Sequence, residues 1–156
     1  MAAEPEDHPD VAVFDEIGHI AYLVRTVVAR KLPLGLNYPQ FEVLNLLARR
    51  GDGITPMQIA SALQVTKSGL TNTLQRLCGR GLILVETCEA DARKKRIWLS
   101  AEGRRSYAQA LSAIRPNMEH LRDGFTQREF QDALPFLRAL RRFMAEIPAA
   151  PAPVEA

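Results

Sequence analysis

Apolar residues recur at steps of three and four along most of this chain, which is the spacing that places side chains on one face of a helix. The first helical segment begins near Asp10 or Asp15 and has two such faces: Phe14, Ile17, Ala21, Val24 and Val28 on one, and Ile20, Leu23 and Val27 on the other. A helix that is apolar on two faces packs between two neighbours. In a chain of 156 residues, a partner subunit is the expected second neighbour.

Polar cap residues mark the starts of three further helices. Asn37, Thr55 and Thr126 each stand three residues before a Gln or Glu. That spacing is typical of a capping box, in which two side chains satisfy free backbone N–H groups at the helix start. Pro56 follows Thr55 directly, and proline is favoured at the first helical position. We therefore predict helices that begin just after these three positions.

The centre of the chain contains a short helix, a tight turn and a second helix in close succession. Residues 64–66 form the predicted turn, and Thr66 caps the second helix, which runs from Lys67 to about Gly79. Many helix-turn-helix units carry Gly where Gln64 stands here, so we expect a modest backbone cost at this residue. The succession of elements is typical of a helix-turn-helix that reads DNA.

The second of these helices separates into a core side and an exposed side at 100° per residue. Leu70, Leu74 and Leu77 fall in one narrow stripe and are expected to be buried. The opposite side and its flanks carry the candidate DNA-contacting residues, which are Lys67, Ser68, Thr71, Asn72, Gln75 and Arg76. Small side chains permit close approach to a major groove, and Asn, Gln and Arg match the edges of bases. The alternative is a solvent-exposed face, which usually carries more Glu and Lys.

Two β-rich runs follow, at residues 82–85 and 97–99, and they are predicted to pair as antiparallel strands. Between them lies the segment CEADARKKR, which we predict to be a hairpin loop because it is too charged to be buried. A basic hairpin beside a DNA-reading helix is a wing, which can lie along the DNA backbone and place an arginine in the minor groove. Arg93, Lys94 and Lys95 are the candidate contacts there.

Charge is distributed unevenly along the chain. The formal net charge of the whole sequence is +2. Residues 67–105 contain nine basic and four acidic side chains, which gives +5 for this segment and leaves −3 for the remainder. The positive excess coincides with the helix-turn-helix and the wing, as expected for a face that binds nucleic acid.

Two long helices are predicted after the wing. Ser100 caps the first, and Pro116 is expected to kink it or to end it early. Pro135 lies inside the second and predicts a bend there. Residues 1–10 are expected to be disordered, and the Pro- and Ala-rich tail at residues 147–156 is expected to be flexible.

Composition excludes several classes of protein. With 47% hydrophobic and 24% charged residues, the chain resembles an ordinary globular domain. No apolar run approaches the ~20 residues of a membrane span, and the acidic N-terminus is unlike a signal peptide, so we expect no membrane partner and a cytoplasmic location. His8, His19 and His120 are scattered, and phosphate-loop, nucleophile-elbow and metal-ligand spacings are missing. We therefore expect no catalysis, no cofactor and no metal. Cys78 and Cys88 are too few for a disulfide scaffold.

The order of these motifs resembles that of the MarR (multiple antibiotic resistance regulator) family of bacterial transcription factors. The resemblance covers about residues 14–145. It is clearest in LNYPQF at residues 36–41, at residues 77–82, and at the wing, where Asp91-Ala92-Arg93 matches the family's Asp-x-Arg. Residues 97–103, IWLSAEG, match its hydrophobic-x-Leu-Thr/Ser-x-x-Gly.

The resemblance implies a mainly α (α+β) fold over residues 11–146. A winged helix-turn-helix lobe at about 37–100 would bind DNA, and helices at about 11–32 and 101–146 would form a dimerisation lobe. It also implies a homodimer whose recognition helices enter successive major grooves of a pseudo-palindromic operator. The wings would lie in the flanking minor grooves, where Asp91 would brace the wing tip and Arg93 would enter the groove.

Members of this family are often repressors that a small aromatic or phenolic effector releases from DNA. The effector binds between the two lobes, so the candidate ligand residues are His19, Tyr22, Arg25 and Phe41. Each also has a structural alternative: His19 on a helix surface, Phe41 in the core, and Tyr22 and Arg25 as dimer contacts. A regulator without a ligand, and one that responds to oxidation of its cysteines, are the other interpretations of the same fold.

Overall fold

The computed structural model describes residues 8–51 and 53–147. Helices dominate this part of the chain, and one two-stranded antiparallel sheet accompanies them. The elements in chain order are α1 (Pro9–Lys31), α2 (Tyr38–Arg50), α3 (Pro56–Leu63), α4 (Lys67–Gly79), β1 (Ile83–Cys88), β2 (Asp91–Leu99), α5 (Ala101–Leu121) and α6 (Gln127–Glu146). This is the mainly α architecture with a small sheet that the sequence predicts.

The predicted capping residues begin the helices that they precede. Asn37, Thr55 and Thr126 each accept a hydrogen bond from the third residue of their helix, and each box is closed by the returning Gln or Glu side chain. Thr66 caps α4 by accepting from the Gly69 N–H at 3.2 Å. The start of α1 was predicted too late. It begins at Pro9, inside the segment expected to be disordered, because proline at the first helical position is already constrained to a helical φ.

Gln64 turns the chain between α3 and α4. Its backbone adopts the left-handed conformation, with φ of 54°, and its N–H donates to carbonyls at the end of α3. The backbone cost predicted for a non-glycine residue at this turn is therefore confirmed. The turn sets the angle at which α4 leaves α3, and so it positions the face that α4 exposes.

The sheet differs from the prediction in the length of its strands. The segment CEADARKKR was predicted as a loop, but the strands continue through it and only Glu89 and Ala90 form the turn. Cross-strand hydrogen bonding satisfies the backbone of charged residues as well as apolar ones, and it leaves their side chains in solvent. A register shift between Thr87 and Cys88 interrupts the pairing near the tip. Ile54 adds a bridge to Ile97 on the other side of β2.

The core lies where α2, α3, α4 and the sheet converge. Its largest fully buried side chains are Leu44, Leu47, Ile59, Leu77, Ile83, Ile97 and Val43. The predicted stripe of α4 belongs to it, since Leu70, Leu74 and Leu77 are all buried. Burial of this stripe fixes the rotation of α4 about its axis, so that its opposite side must face solvent.

The junction between the sheet and α5 is tied by Ser100. Its hydroxyl donates to the Gly81 carbonyl at 2.6 Å and accepts from the Gly103 N–H at 2.9 Å. Its backbone N–H donates to the Leu82 carbonyl at 3.2 Å. Ser100 therefore caps α5, as predicted, and it also attaches the helix to the strand that begins the wing.

The two prolines do not end their helices. α5 continues past Pro116 to Leu121, so the predicted early end is wrong, and α6 continues past Pro135. A proline removes one backbone hydrogen bond and leaves the others along the helix intact. The chain divides into two compact units between Arg115 and Pro116. Of the predicted tail at 147–156, residues 148–156 lie outside the described residues, as do residues 1–7.

Apolar side chains remain exposed on two helices. α1 buries only Val28 and exposes large side chains that include Val11, Phe14, Ile20, Tyr22, Leu23 and Val24. Separately, α6 buries none of its residues and exposes Phe130, Leu134, Leu137 and Met144. Contiguous exposed apolar surface of this kind is typical of a protein–protein interface. Within residues 8–51 and 53–147, no helix has both the length and the apolarity needed to cross a membrane.

Candidate nucleic-acid interface

The exposed side of α4 carries every residue that the sequence assigned to it. The six candidate side chains are all exposed: Lys67, Ser68, Thr71, Asn72, Gln75 and Arg76. No carboxylate lies on α4, whose sequence is KSGLTNTLQRLCG. A surface of amides, hydroxyls and cations without acidic groups can approach a polyanion, and its amides can form paired hydrogen bonds with adenine.

Two hydroxyls on α4 are already engaged by the helix itself. Thr71 donates to the Lys67 carbonyl at 2.8 Å, and Thr73 donates to the Gly69 carbonyl at 3.1 Å. Thr71 therefore presents its methyl group and its oxygen lone pairs to solvent. A methyl group at this position suits apolar contact with the methyl group of a thymine.

The base of the wing lies beside this helix. Lys95 of β2 lines the same cavity, of about 230 Å³, as Thr71, Gln75 and Cys78 of α4. Lys94 and Lys95 are both exposed. The structure thus places Lys95 of the wing next to the exposed side of α4, where it can contact a phosphate that flanks a groove.

The wing tip is described only in part. Asp91 is half-buried and opposes Cys88 across the turn. Arg93 belongs to β2, and its side chain lies outside the described residues, as does that of Cys88. The proposed minor-groove contact of Arg93 and the bracing by Asp91 therefore stay predictions.

Not all of the positive charge near α4 is available to DNA. Arg96 donates to the Gly53 carbonyl at 3.0 Å, and Arg105 forms an ion pair with Glu102. The sequence analysis assigned the excess charge of +5 to one DNA-binding surface, but two of these side chains, Arg96 and Arg105, bond within the protein. Among the described side chains of α4 and β2, exposed cations without such a contact include Lys67, Arg76, Lys94 and Lys95.

Arg80 is a residue whose role the sequence did not reveal. It follows α4 directly, and its guanidinium donates to the Leu34 carbonyl at 2.6 Å, to the Gly35 carbonyl at 3.4 Å and to Oε1 of Gln40 at 3.3 Å. Leu34 is held in the left-handed region with φ of 59°, and Gln40 is only 4% exposed. Arg80 therefore ties the end of α4 to the segment between α1 and α2. A basic residue after a helix was visible in the sequence, but its acceptors 40 to 46 positions away were not.

We expect Arg80→Ala to lower the free energy of unfolding by about 1–2 kcal/mol, since three charge-assisted hydrogen bonds are lost and relief of the strained Leu34 backbone offsets only part of this loss. Urea unfolding followed by circular dichroism measures this effect. Arg76→Ala is the matched control, because Arg76 lies on the exposed side of α4 and should affect DNA binding with little change in stability. Equal stability of the two variants would contradict the role given to Arg80.

The four residues proposed to bind a ligand have different surroundings in the single chain, and their role stays a prediction. Phe41 belongs to the core, where its ring stacks on Tyr107 at 6.1 Å between centroids. Arg25 lies over the ring of Tyr38 at 5.0 Å. His19 and Tyr22 are exposed, and the exposed fraction of Tyr22 is 68%.

Cysteine and metal chemistry have no assembled site in the described part of the chain. Cys78 is a free, exposed thiol. Among residues 8–51 and 53–147, no group of three or more His, Cys, Asp or Glu side chains could hold a metal ion.

A short helix, a turn, a helix with an exposed amide-rich side and a two-stranded basic wing, in this order, define a winged helix-turn-helix protein. The model of the MarR family matches residues 34–94, which run from before α2 into the wing. Over these residues the chain is similar to the MarR family.

A curated relative and several solved structures are similar to this chain. The transcriptional regulator HosA of Escherichia coli is 36% identical over 76 residues, which is 49% of this chain and 56% of HosA. The chain thus aligns with little more than half the length of this curated relative.

Among solved structures, a MarR transcriptional regulator from Methanosarcina mazei aligns with a TM-score of 0.76 at 21% identity, over 87% of this chain and 98% of that one. A MarR mutant from E. coli in complex with operator DNA aligns with a TM-score of 0.72 at 21% identity, over 85% and 96%. CouR from Rhodococcus jostii, bound to p-coumaroyl-CoA, aligns with a TM-score of 0.70 at 20% identity, over 89% and 95%. At sequence identities this low, the comparison shows only that these proteins share a fold with this chain.

Proposed function

We propose that this protein is a homodimeric, sequence-specific DNA-binding regulator of transcription that acts as a repressor on a pseudo-palindromic operator. The observation that carries the proposal is the exposed side of α4, where amides and cations without a carboxylate lie over three buried leucines. In this arrangement α4 enters a major groove, and the wing contacts the flanking backbone. Catalysis has no part in the proposal.

The chemistry of α4 supports reading of bases as well as binding of phosphates. Asn72 and Gln75 carry amides that can donate to and accept from one adenine, and Arg76 can donate twice to a guanine. Lys67 begins the helix, and Lys94 and Lys95 lie on the wing, where long flexible cations reach phosphates without selecting a base. One surface therefore provides both specificity and affinity.

The relatives support the same function for their own molecules. A MarR mutant of the same fold was solved with operator DNA. CouR was solved with p-coumaroyl-CoA. By analogy, a small-molecule effector that changes DNA affinity belongs to the proposal for this chain, and so does a DNA operator as partner.

The exposed apolar surfaces support dimerisation. α1 and α6 each leave large side chains in solvent in the single chain. A second copy that covers these helices would remove them from water, which is favourable by about 25 cal/mol for each Å². We assign about residues 11–32 and 101–146 to dimerisation and 37–100 to DNA binding. Two copies would read half-sites about 34–36 Å apart.

We expect Asn72→Ala and Gln75→Ala to relax the choice of base at particular positions of the operator, at a cost of about 1–3 kcal/mol each. Selection of bound DNA from a random pool, carried out with each variant, measures the change. If both variants select the wild-type sequence, the assignment of this side of α4 is wrong.

Arg93→Ala provides the contrasting control in the same assay. If this side chain lies in the minor groove, its loss should weaken binding to all sequences and lower the slope of log affinity against log salt by about one. Base preference should remain unchanged. An unaltered slope would contradict a role of Arg93 at the DNA backbone.

A further inference from the structure

A cavity of about 390 Å³ lies between α2, the helix-turn-helix turn and the first turns of α4. Its walls are mostly apolar and include Val43, Leu63, Val65 and Leu70. Gln64, the residue in the left-handed conformation, also lines it. A cavity of this size can hold one aromatic ring with a short side chain. None of the four residues proposed from the sequence as ligand contacts is part of this lining.

Glu42 is the only ionisable side chain among the described residues that line the cavity. It is half-buried, and burial raises the pKa of its carboxyl above the ordinary value, while the charge of Arg25 and a hydrogen bond from Tyr38 act in the opposite direction. Arg25 itself stacks over Tyr38 and does not line the cavity. The cavity therefore faces a carboxylate, and its lining has no cation.

The remaining polar side chains of the lining are two hydroxyls that are engaged within the protein and the amide of Gln64, which can donate or accept. The Thr73 hydroxyl donates to the Gly69 carbonyl, and the Thr66 hydroxyl oxygen accepts from the Gly69 N–H and lies 3.4 Å from the Ser68 hydroxyl oxygen. An anionic ligand needs donors or a positive charge to replace its lost hydration. A cationic ligand needs acceptors, and Glu42 is one. The chemistry of the lining thus favours a cation.

We infer that this cavity binds a small aromatic amine in its protonated form, with the ring between α2 and α4 and the ammonium group on Glu42. This ligand class is opposite in charge to an aromatic acid. Because the occupant contacts the turn and the start of α4, binding alters the setting of α4 and changes operator affinity. This regulatory part rests on the proposed DNA-binding function.

Phenethylamine and 3-phenylpropionate test the inference, because they share a ring and a two-carbon linker and differ in charge. Binding to the full-length protein without DNA is measured by ¹H–¹⁵N NMR titration. We expect the amine to bind at least about tenfold more tightly than the acid, a difference of about 1.4 kcal/mol. The largest shift changes are expected at Val65 and Gly69. Equal or tighter binding of the acid would overturn the inference.

Variants locate the ammonium group. Glu42→Gln should weaken binding of the amine at least about tenfold and leave binding of the acid unchanged or stronger. Glu16→Gln, which removes a carboxylate from α1 outside the cavity, should leave both unchanged. Thr73→Leu keeps Glu42 and fills the cavity, so it should weaken the amine independently if Glu42→Gln perturbs folding. Full amine binding by Thr73→Leu would overturn the assignment of the cavity.

DNA binding is measured separately, with a fluorescent operator obtained by selection. A change in operator affinity when phenethylamine saturates the protein supports the regulatory part, and unchanged affinity overturns it. Loss of all specific DNA binding with intact amine binding would refute the proposed function and leave the amine site standing. The two proposals therefore fail by different results.

Discussion

Replacing Gly103 by alanine is expected to destabilise the fold by about 3 kcal/mol or more, although glycine-to-alanine changes within helices usually stabilise. A Cβ atom at this position would lie 2.0 Å from the Leu82 carbonyl oxygen and 2.9 Å from a methyl carbon of Leu99. The carbonyl cannot retreat freely, because it accepts the backbone N–H of Ser100 at 3.2 Å. Relief requires α5 to move away from the sheet, which exposes core side chains. Urea unfolding gives the size of the loss.

Gly79→Ala is the matched control for this change. Gly79 is the last residue of α4, and a Cβ there meets nothing within 4 Å. Its replacement should leave the free energy of unfolding unchanged or raise it by up to about 1 kcal/mol. If the two alanine variants unfold at the same urea concentration, close packing of α5 against the Leu82 carbonyl does not limit stability.

Features that depend on neighbouring residues in the chain were predictable from the sequence. The caps at Asn37, Thr55, Thr66 and Thr126 each involve a donor within three residues, and all four are formed. The exposed side of α4 was predictable for the same reason, since helical geometry relates each residue to its neighbours by a fixed rotation. Local rules therefore predicted which side of α4 is exposed.

Features that depend on distant residues were missed. Arg80 contacts Leu34 across 46 positions, and no local rule connects the two. The strands of the wing extend further than their side chains suggested, because backbone pairing between β1 and β2 does not depend on apolar residues at the tip. The cavity beside Glu42 needs three elements to form, and the sequence showed only their separate patterns. Each of these features depends on contacts between segments that are separate in the sequence.

Leu134→Glu is expected to convert the protein to a monomer and to weaken operator binding at least about 100-fold. Leu134 is 41% exposed on α6, in the same row as the exposed Phe130 and Leu137. A carboxylate buried in an apolar interface without a partner costs several kcal/mol, which a dimer of moderate affinity cannot offset. A monomer then binds each half-site alone and loses the gain from simultaneous contact. Sedimentation velocity and operator titration measure the two effects.

Gln131→Glu separates the apolar interface from a simple effect of charge. It adds the same negative charge to α6, on the polar side that carries Arg128 and Arg142, and it should leave both the dimer and operator affinity intact. A Leu134→Glu protein that remains dimeric would exclude this row of α6 from the interface. A monomer that keeps full operator affinity would show instead that one copy reads the site alone, and the assignment of two successive major grooves to two recognition helices would then be wrong.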